Sequence, residues 1–177
     1  MLTVTSAQLD AWLAALLFPL ARILALVTAA PVFGNSGLPM RVRIGVGLAV
    51  ALVLVPAVPP LPPIAPASGI GLTVLAQQVL IGLAMGFTMR IVFAAIDLAG
   101  ELIGLQMGLS FALFFDPGSS GQTAVLSEFL GVLGTLVFLA LNGHLMMISV
   151  LSASFELLPI AATPLSGQGF EMMVRWG

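Results

Sequence analysis

The chain contains no cysteine and no lysine, and its five arginines stand against seven acidic residues. The lack of cysteine excludes disulfide bonds, thiolate metal sites and thiol catalysis. Five scattered arginines form no basic patch that could hold nucleic acid. Charged residues make up 7% of the 177 residues and apolar residues 60%, whereas soluble domains carry about 25% charged residues. Because so few charges cannot cover a surface in water, the composition predicts a membrane protein.

Five apolar segments follow one another along the chain, at residues 9–33, 44–58, 70–115, 124–141 and 145–158. The first is long enough to span a bilayer by itself, since a span needs about 20 residues. The third, as a single helix, would be about 66 Å long at 1.5 Å per residue, against a hydrocarbon core of about 30 Å. Either this segment breaks, or part of it stands outside the lipid and packs on other protein.

Residues 56–66 hold six prolines, which predicts a stiff, extended connector between two helices. A proline-rich ligand for a partner is the alternative. We see no repeat and no soluble domain, so the whole of residues 1–177 is expected to be one helical domain. Residues 170–177 look like the start of another helix, and we therefore expect the sequence to be truncated at its C-terminus.

One face of the third segment carries charges and glycines together. At about 100° per residue, Asp97 and Glu101 each lie about 20° from Arg90, on opposite sides. The same stripe contains Gly100, Gly104 and Gly108. A charge facing lipid costs at least about 2.5 kcal/mol on insertion scales, so this face should meet protein or water. It is either a polar conduit or a helix-packing face with a salt bridge, between helices of this chain or to another subunit.

Other polar residues stand singly in apolar surroundings. Arg22 has no local partner, so its partner should lie elsewhere in the chain or on another chain. Gln77 and Gln78 should seek hydrogen bonds between helices. Glu128 suits the start of a helix, where a carboxylate is favourable with the dipole. His144, the single histidine, suggests a turn residue with satisfied hydrogen bonds.

The sequence does not predict an enzyme. Ser110 lacks the second glycine of a nucleophile motif, and Asp97 and Asp116 lack the context of a paired-aspartate protease. One histidine cannot build a metal cluster. There is no phosphate-binding loop such as a Walker A motif. We therefore expect no catalytic residues, no metal and no cofactor.

The order of several motifs resembles the flagellar biosynthetic protein FliR family. The residues that carry the resemblance are 30–33, 79–87, 100–111, 116–117, 142–145 and 154–160. They cover essentially the whole chain, and the central run is the most specific. The resemblance implies an all-α component of the flagellar type III export gate in the bacterial inner membrane, within the flagellar basal body. It also implies hydrophobic helical hairpins in a conical, right-handed assembly partly raised out of the bilayer.

The resemblance further implies partners. A single copy would assemble with several FliP-type and FliQ-type subunits and be contacted by an FlhB-type subunit, with membrane lipid around it and unfolded export substrates passing through. These subunits would also supply partners for the face of Arg90, Asp97 and Glu101. The related export gate of a virulence injectisome is the alternative. An independent solute transporter would predict inverted repeats, which are not seen.

In this family, the loop that matches residues 110–121 resembles a plug in the export pore. Its residues here are Phe111, Phe114, Phe115, Asp116, Pro117 and Gly118. A tight apolar constriction blocks ions by dewetting, and the polar, glycine-rich stretch after the aromatics would act as a hinge. Interfacial anchoring or core packing of the three phenylalanines is the other interpretation.

Overall fold

The computed structural model describes residues 5–33, 39–59, 61, 64–108 and 125–161, and within them every regular element is a helix. The helices are α1 (Ser6–Ala29), α2 (Met40–Leu54), a 3₁₀ turn (Val55–Ala57), α3 (Gly69–Gln106), α4 (Val125–Ala140) and α5 (Gly143–Leu157). The predicted all-α fold class is confirmed.

Side-chain and proline chemistry defines the ends of α1 and the start of α2. The Thr5 hydroxyl accepts from the Gln8 amide at 3.4 Å, and the Thr5 amide donates to the Gln8 side chain at 3.1 Å, a reciprocal capping box. Ala30 is extended because the residue before a proline, here Pro31, is disfavoured in the α region. Pro39 has the fixed φ that opens α2.

The proline-rich connector begins with a tight turn. Pro56 sits at the start of the 3₁₀ turn that closes α2, and Val58 is then extended with φ −71° and ψ 135°, close to polyproline II geometry. The predicted second segment, residues 44–58, is therefore displaced: its helix begins at Met40 and ends at Leu54.

The third apolar segment forms one long helix. α3 has 38 residues and is about 57 Å long, well beyond the thickness of a hydrocarbon core of about 30 Å. It stops before the predicted end at Phe115, because Gly108 adopts a left-handed φ of 73° that favours glycine and ends helices. Residues 109–124, with the rest of the predicted segment, lie outside the described residues.

The predicted interruption at residues 142–144 is shorter in the structure, because α4 ends at Ala140 and α5 already begins at Gly143. Asn142 takes a positive φ of 57°, which asparagine tolerates better than most residues. Its carbonyl accepts from the amides of Leu145 and Met146, at 2.9 and 3.2 Å, and so starts α5. Glu128 lies in the first turn of α4, as predicted.

The chain divides into two compact units. The first comprises residues 1–86 and 147–177 and the second residues 87–146. The core of the first unit is built from the inward sides of α1, α3 and α5, and its most deeply buried apolar side chains are Phe18, Ile23, Leu26, Val27, Val74 and Leu151. α2 adds Gly47, Ala51 and Leu54 to the buried set.

Two helices in the described parts of the chain, Gln8–Ala29 and Gly69–Gln106, are long and apolar enough to cross a membrane. A third span results if α4 and α5 together count as one broken span. The prediction of a membrane protein is therefore supported by length and hydropathy.

In the first unit, glycines on α3 let this helix pack closely against α1. A Cβ at Gly82 would lie 2.7 Å from Ala25 Cβ and collide with the Arg22 carbonyl, and a Cβ at Gly86 would meet Ala29. From the Gly82–Arg22 contact to the Gly86–Ala29 contact, the residue number rises on both helices, so α1 and α3 run parallel. Small residues four apart permit this backbone approach.

We expect Gly82→Ala to destabilise the protein by about 1–3 kcal/mol, because the added methyl group meets backbone that cannot move aside. Gly45→Ala is the matched control, since a Cβ at Gly45 would have nothing within 4 Å, and alanine gains about 0.5–1 kcal/mol in a helix. Thermal unfolding in detergent would compare the two variants. Equal melting temperatures would contradict the close approach.

Candidate functional site

Arg22 is fully buried in the first unit although it lies within the apolar helix α1. Its Nε donates to Gln78 Oε1 at 2.8 Å, and Nη2 donates to the same oxygen. Nη1 donates to the Ser154 carbonyl at 2.7 Å and to the Ser154 hydroxyl at 3.1 Å, and Nη2 also donates to the Leu158 carbonyl at 2.8 Å. A guanidinium has five N–H donors, and these five hydrogen bonds use them all.

The acceptors around Arg22 are neutral. Within the described residues, no carboxylate is among its hydrogen-bond partners. The Ser154 and Leu158 carbonyls lie at the C-terminal end of α5, where the helix dipole is negative. The Phe155 ring lies 4.3 Å from Arg22 Cζ and presents its electron-rich face to the cation. Dipoles and an aromatic ring therefore stabilise this charge.

Gln78 is oriented by Arg22. Its oxygen must face the guanidinium, which only donates, so its Nε2 points away. That nitrogen is buried and has no hydrogen-bond partner among the described residues. The predictions that Arg22 finds a distant partner and that Gln78 bonds between helices are both confirmed. We name Arg22, Gln78, Ser154, Phe155 and Leu158 the guanidinium node.

Sequence reasoning missed the contribution of α5 to the guanidinium node. Ser154 and Leu158 lie more than 130 positions from Arg22, with sequence separations of 132 and 136. A signal was present, because a serine and an aromatic residue stand together one turn before Pro159, where a helix must end. The Ser154 hydroxyl also donates to the Leu151 carbonyl at 2.7 Å, so it accepts and donates at once.

In the second unit, α3 and α4 pack antiparallel through small residues. A Cβ at Gly100 would lie 2.8 Å from the Ser127 amide nitrogen, and a Cβ at Gly134 would lie 3.0 Å from Ile96. The Ser127 hydroxyl donates to the Asp97 carbonyl at 2.9 Å. The rings of Phe93 and Phe138 meet edge to face at 5.9 Å. These contacts fix the register of the two helices.

The predicted charged face lies along this pair of helices. Arg90, Asp97 and Glu101 are exposed on α3, and the Asp97 carboxylate lies beside Gly131. Among the described residues none of the three forms an ion pair. Gly100 contacts α4, whereas a Cβ at Gly104 would have nothing within 4 Å. Both interpretations of this face, a conduit and a contact with another subunit, stay predictions.

The remaining predicted residues are placed as follows. Phe111, Phe114, Phe115, Asp116, Pro117 and Gly118 lie outside the described residues. His144 is in the first turn of α5, but its Nδ1 is buried without a hydrogen-bond partner in the described part of the chain, so the prediction of a satisfied turn residue is wrong for this atom. The described residues contain no group of three or more histidine, aspartate or glutamate side chains that could hold a metal.

Known proteins match the chain along its length. The profile of a family described as bacterial export proteins, family 1, matches residues 13–177. The flagellar biosynthetic protein FliR of Pectobacterium carotovorum subsp. carotovorum is 45% identical over 178 aligned positions, which cover 100% of this chain and 67% of the relative. The protein of the same name from Escherichia coli (strain K12) is 42% identical, with the same coverage. That of Bacillus subtilis (strain 168) is 27% identical over 139 residues, 78% of this chain and 53% of the relative.

The guanidinium node predicts that Gln78→Leu and Gln78→Glu differ sharply. Leucine leaves two donors of a buried cation without an acceptor, at a cost of about 1.5–3 kcal/mol. Glutamate keeps the acceptor, supplies a counter-charge and removes the unpartnered Nε2, so we expect it to match or exceed the stability of the parent. Thermal unfolding in detergent would measure both. Gln77→Leu, at the neighbouring half-buried position, is the control for a simple gain of apolar surface.

Proposed function

Because the chain belongs to the flagellar FliR family of bacterial export proteins, we propose that it forms and plugs the pore through which unfolded flagellar proteins cross the inner membrane. It is a subunit of the flagellar type III protein export gate. The observation that carries the proposal is the match over residues 13–177, which includes the proposed plug segment. The names of the similar proteins favour the flagellar system over a virulence injectisome.

The surface of α3 supports a role within an assembly. The helix is about 57 Å long. Within its most apolar stretch of 18 residues, only 17% is buried by the rest of the chain. Its exposed side chains include Arg90, Asp97 and Glu101, which are costly against lipid. Neighbouring export-apparatus proteins would cover this surface. In our proposal these are FliP-type and FliQ-type subunits, with an FlhB-type subunit in contact.

The proposed pore works without a catalytic step in this chain. Two described helices are long and apolar enough to cross a membrane, and we propose that this membrane is the bacterial inner membrane at the flagellar basal body. Unfolded polypeptide would pass between subunits, and the energy for export would come from other components. Phe111, Phe114 and Phe115 would close the resting pore by excluding water from a narrow apolar ring. Asp116, Pro117 and Gly118 would let that ring yield to a substrate.

Native mass spectrometry tests the assembly. The tagged chain would be co-expressed with its neighbouring genes and purified in detergent. We expect one copy bound to a ring of several small, hydrophobic, helical partners, because the exposed charges and apolar surface of α3 need protein cover. A stable monomer or homodimer without such partners would contradict the export-gate assembly. It would make the face of Arg90, Asp97 and Glu101 the first candidate for a solute site.

Replacing Phe111, Phe114 and Phe115 together with glycine tests the plug. We expect the complex to assemble but its membranes to leak ions, because the pore loses its dewetted constriction. Conductance of the purified complex in planar bilayers is the measurement. The control replaces the exposed Phe87 and Phe129 with leucine, which keeps the plug intact. Conductance equal to that of the parent in a properly assembled complex would rule out the plug.

A further inference from the structure

α5 ends at the level of the middle of α1. α5 has 15 residues and is about 22 Å long, too short to cross a hydrocarbon core of about 30 Å. Its last turn is bonded to Arg22, which lies about 5 Å from the midpoint of the Gln8–Ala29 span at 1.5 Å per residue. The chain therefore leaves α5 where Ser154 and Phe155 are buried against α1, away from water.

A helix end is costly where it is buried away from water. The last carbonyls of a helix have no partner within the helix, and an unsatisfied carbonyl costs several kcal/mol in a medium without water. Pro159 makes the end unavoidable because it has no N–H to donate to Phe155. The amide of Leu158 makes the last helical bond, to the Ser154 carbonyl at 3.0 Å.

We propose that Arg22 is a positioning residue that caps the buried C-terminal end of α5 and so fixes where the chain leaves that helix. Its Nη2 donates to the Leu158 carbonyl, which lies beyond the last helical hydrogen bond, and its Nη1 is a second donor to the Ser154 carbonyl, which already accepts from the Leu158 amide. Gln78 holds the opposite edge of the guanidinium, and the Phe155 ring lies 4.3 Å from it. Ile160, two residues after the Leu158 carbonyl, is buried.

The role requires the guanidinium fork and not only a positive charge. A lysine carries three donors on one atom, whereas arginine spreads five donors over a planar fork. Only the fork reaches two carbonyls of α5 and the Gln78 oxygen on α3 at the same time. Arg90, also on a membrane-spanning helix but exposed on the second unit, has no such arrangement within the described residues.

A cysteine reporter tests the positioning directly. This chain has no cysteine of its own, so Ile160→Cys introduces a single buried thiol just after the capped end. The chain would be co-expressed with its partner subunits, and a membrane-permeant maleimide would label it in native membranes. With Arg22 present we expect slow labelling. With Arg22→Met we expect labelling at least about tenfold faster, because local opening no longer breaks charge-assisted hydrogen bonds.

Matched variants separate the cap from other effects. Arg22→Lys should label nearly as fast as Arg22→Met, and Ser154→Ala should change the rate by no more than about twofold, since the backbone acceptors remain. Arg41→Met, at an exposed arginine of α2 in the same unit, should leave the rate at Ile160→Cys unchanged. The rate at an Asp10→Cys reporter should be the same in every background. Slow labelling in Arg22→Met would overturn the proposal, and so would full protection by Arg22→Lys, which would assign the effect to charge alone. If Arg22→Met fails to accumulate, the labelling rate of Arg22→Lys decides: fast labelling supports the proposal, and full protection overturns it.

Discussion

The first unit depends on one buried charge. In a chain with 7% charged residues, Arg22 is fully buried and uses all five of its N–H donors on two other elements, α3 and the end of α5. Its own helix, α1, is thereby tied to α3 through Gln78 and to α5 through Ser154 and Leu158. A buried cation that loses an acceptor is strongly destabilised. The positions of the three helices are therefore coupled, because a shift in any one of them leaves a charged donor unpaired.

Close backbone contact is the second constraint. It drives the association of membrane helices, to which the hydrophobic effect contributes little. Lipid tails are as apolar as leucine, so burying leucine gives little reason for two membrane helices to associate. Glycines compensate by removing the side chain at the contact. Gly82 brings α3 onto the backbone of α1 in the first unit, and Gly100 brings it onto Ser127 of α4 in the second. Dispersion contacts then act at the shortest possible distance.

The exposed surface of α3 explains why such a subunit belongs in an assembly. A helix longer than the hydrocarbon core has residues outside it, and apolar residues there need protein cover. The charged residues Arg90, Asp97 and Glu101 make lipid an unsuitable neighbour for the same stretch. A chain that stabilises its interior through one polar cluster and leaves a long helix uncovered is suited to be one member of a larger gate.

The sequence by itself determined the membrane class, the helices, and the breaks at Pro56 and Asn142, because composition, segment length and backbone preference are local properties. It also indicated that Arg22 and Gln78 must find partners. Only the tertiary structure decided which partners these are, since a hydrogen bond to Ser154 depends on how helices separated by 132 positions align. The structure also shows that α3 ends at Gln106, shortly before Gly108 adopts a left-handed φ of 73°, although the apolar run in the sequence continues to Phe115. The burial of His144 Nδ1 without a hydrogen-bond partner in the described part of the chain was likewise visible only in the structure.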